Sequence, residues 1–178
     1  MIDHWCRHVM NSEVNKKVRS LSYKTLDALE VSGSEWRELG FKSYENVSFP
    51  DFDVCRQTTG KDYDIIIAEQ VFEHIEDPAS AADNIYKMLR KNGLFLITTP
   101  FLIKYHPSPL DLWRWSKDGL RVFLEKQGFE TVETFAWGNK DCVIGNLEDW
   151  PYYDEKVHSL ENEEEYPIVV WGFAYKRK

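Results

Sequence analysis

The stretch Tyr63–Pro100, YDIIIAEQVFEHIEDPASAADNIYKMLRKNGLFLITTP, decides the fold class. Its first six residues, Tyr63 to Ala68, are a short apolar run of the kind shown by a strand covered on both faces. Asp77-Pro78 supplies a helix cap and a first-turn proline. Ala81, Ala82, Ile85, Met88 and Leu89 follow at helical spacing, and Asn92-Gly93 is the expected stop. Leu94 to Thr98 reads as the next strand. A strand, a helix and a strand in this span make a parallel crossover, which predicts an α/β sheet. Ligands of such sheets bind beyond the carboxyl ends of the strands. Glu69-Gln70 and Pro100-Phe101 are therefore expected at the site.

The remaining segments fit around that unit. Asp3 to about Ser20 reads as an opening helix, with Lys16, Lys17 and Arg19 in its last turn, where cations suit the helix dipole. Strand candidates precede the unit at Thr25–Val31 and Tyr44–Phe49, with a short third at Phe52–Cys55. Two more follow it, at Thr131–Trp137 and Ile168–Tyr175. Residues 138–167 between those two form a long insertion, expected to hold a short helix over Asp141–Leu147 and an aromatic turn at Trp150-Pro151-Tyr152-Tyr153. Long loops on α/β scaffolds often carry function, so this one is a candidate wall of an acceptor pocket. Glu161–Glu165 reads as a solvated tip. A chain of 178 residues predicts one domain with a full core.

Charge and composition narrow the classes. Lys and Arg total 22 against 30 Asp and Glu, a formal charge of -8, which disfavours nucleic-acid phosphate as a partner. No run is apolar enough for a membrane span, and the start lacks the apolar core of a signal peptide. Cys6, Cys55 and Cys142 are widely spaced without a CxxC pair, as expected of reduced thiols in a cytoplasmic protein. No metal site is expected: His4, Cys6 and His8 read as ordinary polar positions of a partly exposed helix. Seven Trp are many for this length, and some are expected to line an aromatic pocket.

The Tyr63–Pro100 pattern also resembles the second half of class I S-adenosylmethionine-dependent methyltransferases, in the small-molecule, type 11-like group. His106, Pro109, Asp111, Arg114, Gly119-Leu120, Leu124 and Gly128-Phe129 are similar to that group's next block. The resemblance implies a Rossmann-like, mostly parallel sheet with an antiparallel last strand and helices on both faces. It also implies S-adenosyl-L-methionine as cofactor. The family's acidic residue before a glycine-rich turn aligns with Glu30. Ser32, Ser34 and Trp36 then stand on the three glycine positions, with Gly33 between them. The acid that normally meets the ribose hydroxyls is replaced by Ser48, with Asp53 in the following turn as a further candidate. Cofactor contacts are thus expected from Glu30, Ser32, Gly33, Ser48, Asp53, Glu69 and Gln70, in a first half that looks trimmed.

Methyl transfer from a sulfonium is an in-line displacement, for which a protein supplies proximity, alignment and a dry site. A base helps where the acceptor must lose a proton. His106 is the first candidate base, since it follows the strand ending at Pro100 and imidazole titrates near neutral pH; the alternative is a loop histidine bonded to backbone. Asp111, Trp113 and Arg114 are the candidate substrate contacts. Arg114 has the planar fork that clamps a carboxylate or phosphate, and it is equally suited to pair with Asp111. The absence of an NPPY-type element after Ala68 disfavours an adenine or protein-amide acceptor. The expected function is O-methylation of a natural product or sugar-containing metabolite, with a homodimer as the candidate assembly. The alternatives are a non-catalytic or regulatory domain of the same fold, and another reaction of the same sulfonium.

Overall fold

Buried side chains alternate between two faces along every central strand, and the layers follow from that alternation. The computed structural model describes residues 3–177. Its strands are β1 (Asp27–Val31), β2 (Ser43–Val47), β3 (Tyr63–Glu69), β4 (Leu89–Pro100), β5 (Glu130–Trp137) and β6 (Val169–Tyr175). Its helices are α1 (Trp5–Ser20), α2 (Pro78–Met88), α3 (Lys117–Lys126) and α4 (Lys140–Glu148). The sheet order is β2-β1-β3-β4-β6-β5. β1 to β4 run parallel, and β6 is antiparallel to both β4 and β5.

Leu29, Ile66, Phe95, Ile97 and Val170 point to one face, where α2 adds Ala82 and Ile85 and α3 adds Leu120 and Leu124. Ala28, Ile65, Ile67, Leu96 and Trp171 point to the other, under Met10, Val14 and Val18 of α1 and Cys142 of α4. The helices α2 and α3 each start on a side-chain cap. Asp77 accepts from the Ser80 N–H at 3.0 Å and Ser116 from the Gly119 N–H at 3.1 Å, so each satisfies a donor that the first turn leaves unpaired.

Three local expectations are corrected. The α2 helix ends at Met88, and Leu89 belongs to β4 rather than to the helix. The Lys176 ammonium donates to the carbonyls of Tyr86 and Leu89 at 2.9 and 2.7 Å, which terminates the helix before Asn92-Gly93. Residues between Leu89 and Leu94 then bulge out of register against β3, with Asn92 at φ 64°. Phe52–Cys55 is a turn, not a strand: Asp53 accepts from the Cys55 N–H through Oδ1, and its carbonyl from Arg56 and Gln57. β2 stops at Val47, short of Phe49.

The segment joining β5 to β6 is stitched to α1. His4 stacks on Tyr152, Trp5 on His158 and His8 on Tyr153. The Trp5 indole also donates to the Ser159 carbonyl at 2.9 Å. No helix among the described residues is long and apolar enough to cross a membrane, and Cys6, Cys55 and Cys142 are unpaired thiols.

Candidate functional site

The strand order reverses between β1 and β3, so a crevice opens at their carboxyl ends, the place where such sheets take ligands. Glu30, one residue from the end of β1, is buried. Its carboxylate accepts from the backbone N–H of Glu35 at 3.0 Å and of Trp36 at 3.1 Å, and from the Tyr44 hydroxyl at 2.5 Å. Those bonds curl the Ser32–Trp36 loop back over the strand end. The turn is tight: a Cβ on Gly33 would lie 2.6 Å from Glu30 Oε1. The Trp36 side chain is buried, and its indole donates to Glu69 Oε2 at 2.7 Å, joining the ends of β1 and β3.

Burial pushes the Glu69 carboxyl up to about 7, against the pull of the Trp36 N–H. Its other oxygen makes no hydrogen bond among the described residues. Gln70 follows in the left-handed region at φ 54°, as does Ser32 at φ 58° after β1. Non-glycine residues there carry strain, which concentrates at functional sites. Gln70 is held in place by Thr98 of β4, whose carbonyl accepts its backbone N–H at 3.0 Å and whose hydroxyl accepts its side-chain amide at 3.1 Å.

A second group assembles where the loops after β3 and β4 meet, as parallel neighbours require. Three bonds latch these loops. Leu112 N–H donates to the Glu73 carbonyl at 2.8 Å, the Trp113 indole to Ile75 at 2.8 Å, and His74 Nδ1 bonds the Leu110 carbonyl. The His74 and His106 rings stand edge to face 5.1 Å apart, and Trp150 lies edge-on to His106 at 6.0 Å. Burial lowers the His106 pKa. Asp111 receives both arms of the Arg114 guanidinium and the His106 backbone N–H. The Arg114 fork holds the Asp111 carboxyl down at about 2. Arg114 is thus engaged by Asp111. Trp113 is exposed beside Trp115, at a centroid distance of 6.0 Å.

Glu30, Ser32, Gly33, Glu69 and Gln70 therefore come together, and so do His106, Asp111, Trp113 and Arg114. Among the described residues, the hydrogen bonds and ion pairs of Ser48 and Asp53 stay within their own turn. Ser48 is exposed and its carbonyl accepts from Phe52, while Asp53 pairs with Arg56. Sequence reading passed over Trp36 and Tyr44 as partners of the acids, and Glu73 as a buried one. The signal for Glu73 was available, since an acid beside His74 in the loop after a buried strand has few solvated places to go.

Residues 4–134 match the family described as methyltransferase domain. The chain belongs to this methyltransferase family. Its sheet is that of the class I, S-adenosylmethionine-dependent members. A curated relative, malonyl-[acyl-carrier protein] O-methyltransferase of Halalkalibacterium halodurans, is 24% identical over 79% of the chain and 53% of its own length. The chain thus spans about half of that relative. Among solved structures, phosphoethanolamine N-methyltransferase 2 of Haemonchus contortus, in complex with phosphomonomethylethanolamine and S-adenosylhomocysteine, superposes with TM-score 0.65. It is 14% identical, over 94% of this chain and 53% of that one. An S-adenosylmethionine-dependent methyltransferase of Archaeoglobus fulgidus gives 0.61 at 13% identity, over 96% and 94%. These likenesses establish the fold of this methyltransferase-family chain.

Proposed function

We propose that this chain binds S-adenosylmethionine in the β1/β3 crevice and methylates a small molecule, most simply at oxygen. The observation carrying this reading is the pair of acids, Glu30 and Glu69, set at adjacent strand ends and bridged by Trp36. When bound, the cofactor supplies a methyl group activated on a cationic sulfonium. Glu69, with one oxygen unpaired, is suited to its ammonium group. Glu30 acts through the loop, since its own oxygens are engaged by Glu35, Trp36 and Tyr44. Ser32 and Gly33 leave room for close backbone approach. Ser48 and Asp53 are the candidates for the ribose hydroxyls. His106 is proposed as the base, and Arg114 and Trp113 as acceptor contacts beside Asp111. The O-methyltransferase relative and the phosphoethanolamine-methylating structure show that this fold serves small and carrier-bound acceptors alike. The wider setting proposed is the cytoplasm, where buried thiols such as Cys6 and Cys142 stay reduced.

Calorimetric titration with S-adenosylhomocysteine tests the first step. One-to-one saturable binding, weakened by Glu69→Gln, is expected. Absence of binding at millimolar ligand would overturn the reading. It would favour the second one, a binding domain that keeps the fold without the chemistry, which is motivated by a Trp at a position where the family places glycine.

A further inference from the structure

Among the described residues, Glu73 is the buried carboxyl group left without a hydrogen bond. It has no exposed surface, and neither carboxylate oxygen has a hydrogen-bond partner. Burial pushes the carboxyl up to about 7, while its own backbone N–H and the charges of Arg7 and Arg114 pull the other way. Protonation does not by itself satisfy the group, because the neighbouring acceptor, His74 Nε2, lies 3.7 Å from Oε1 and the second oxygen stays unpartnered. Buried polar groups are ordinarily satisfied, so an orphan of this kind points to a missing partner. Glu73 Oε1 lies 3.7 Å from His74 Nε2, too far for a hydrogen bond. One ligand atom each of Glu73, His74 and His106 falls within 4.8 Å of the others.

We propose that Glu73, His74 and His106 form a site for one divalent transition-metal ion, at the mouth of the loops after β3 and β4. Nitrogen and carboxylate ligands sit about 2.0–2.2 Å from zinc, so in a tetrahedral shell they lie roughly 3.4 Å apart. The Glu73–His74 spacing of 3.7 Å is close to this, and His106, with all three ligand atoms within 4.8 Å of one another, must be drawn in by side-chain rotation. His74 is already set in the required tautomer. Its Nδ1 bonds the Leu110 carbonyl, which leaves the Nε2 lone pair directed toward Glu73. Asp111, braced by Arg114, fixes the His106 backbone. Two imidazoles and one carboxylate suit zinc, cobalt, manganese or ferrous iron, whereas magnesium and calcium prefer oxygen. Half-buried His74 and His106 leave the shell open on the solvent side, so three protein ligands retain positions for water or an acceptor oxygen. That last role rests on the methyl-transfer reading, and the site itself does not. A metal-loaded His106 is no longer a free base, so in the loaded protein the metal replaces it in activating the acceptor.

The test uses the whole chain, stripped with a chelator and titrated with cobalt(II) by absorption and zinc by competition with a chromophoric chelator. One equivalent should bind saturably, with a nitrogen–oxygen d–d spectrum, and should raise Tm. Glu73→Gln and His106→Gln, each confirmed folded by circular dichroism, should weaken binding at least tenfold and abolish the Tm rise. His106→Gln keeps the test decisive should Glu73→Gln fail to fold, because His106 is on a half-exposed loop. No saturable binding, unchanged affinity in the folded variants, or a cobalt–thiolate band reporting cysteine capture would overturn the proposal. Titration of the same sample with S-adenosylhomocysteine, without metal, reports the cofactor reading separately.

Discussion

The two halves of the parallel sheet solve the same covering problem with different materials. β3 and β4 are joined through α2, and apolar residues from α2 and α3 close their face. Between β1 and β2, and between β2 and β3, no α-helix forms; residues 32–42 contain only one short 3₁₀ turn, Arg37–Leu39, and residues 48–62 only turns. Parallel neighbours ordinarily need a helical crossover. Here polar bonds stand in for it, running from Tyr44 through Glu30 to the loop and from Trp36 to Glu69. A half built this way is specified by a few directed contacts. The half built on apolar packing is specified by many interchangeable ones.

Truncating one large ring in each half should give the largest effects. Trp36→Ala and Phe72→Ala each remove a buried aromatic side chain and should each cost about 3–5 kcal/mol in urea denaturation. Conservative variants separate the halves. Trp36→Phe keeps a ring but leaves Glu69 without its donor, an expected loss of about 1–3 kcal/mol. Phe72→Leu, which breaks no hydrogen bond, should cost less than its alanine counterpart by a wide margin. A Trp36→Phe variant as stable as wild type would remove the polar network as the anchor of the first half.

The pH dependence of stability sharpens the same contrast. The Glu69 carboxyl is raised from 4.5 to about 7 in the folded chain. As pH rises from 4.5, the unfolded chain releases this proton first, so folding loses stability until the folded carboxyl ionises near pH 7; above that the loss is complete. The loss attributable to Glu69 is on the order of 3 kcal/mol. Denaturation midpoints measured from pH 5 to pH 8 should therefore fall, and Glu69→Gln should flatten the fall. Glu73 titrates in the same direction and remains in that variant, so some slope persists. Identical slopes in both proteins would place the Glu69 titration outside this window.

A smaller effect is expected at the turn itself. Gly33→Ala puts a methyl group 2.6 Å from Glu30 Oε1. The carboxylate must then shift off three hydrogen bonds that hold the loop. Overpacking of this kind costs about 1–3 kcal/mol, and calorimetry should show a matching loss of S-adenosylhomocysteine affinity. Lost stability with unchanged affinity would make the turn a purely structural feature.

The second half was legible in sequence because burial on both faces writes a continuous apolar run, as at Ile65–Ala68 and Leu94–Ile97. The cap at Asp77 marked the start of α2. The end of α2 was not legible, because it is set by Lys176, 88 residues beyond Met88 in the chain. Phe52–Cys55 failed for a different reason: its apolar residues mimic a strand, while the Asp53 side chain turns the backbone. At the site, Glu30 and Glu69 could be placed at strand ends by counting. Their link through Trp36 was hidden, since nothing local pairs an indole with an acid 33 residues away. The Glu73–His74–His106 grouping follows from topology, because neighbouring parallel strands bring their carboxyl-end loops together.

The finest distinction concerns two of the four described non-glycine residues at left-handed φ, Ser32 after β1 and Gln70 after β3. Both strand ends make the same backbone demand, yet only Gln70 has side-chain bonds that compensate it, to Thr98. Among the described residues, Ser32 is held by its backbone N–H on the Val47 carbonyl at 2.8 Å, a bond that glycine retains. Ser32→Gly should therefore relieve the steric cost of the left-handed conformation, about 1–2 kcal/mol, against an entropic penalty of about 0.5–1 kcal/mol. The net result is a gain of between about 0 and about 1.5 kcal/mol. Gln70→Gly relieves the same strain while losing the Thr98 bond, so it should be neutral or destabilising. Paired thermal denaturation of the two variants decides the matter. If Ser32→Gly loses stability, the serine hydroxyl has a role in the loop, and the first half depends on its polar contacts more deeply than the Glu30 network alone shows.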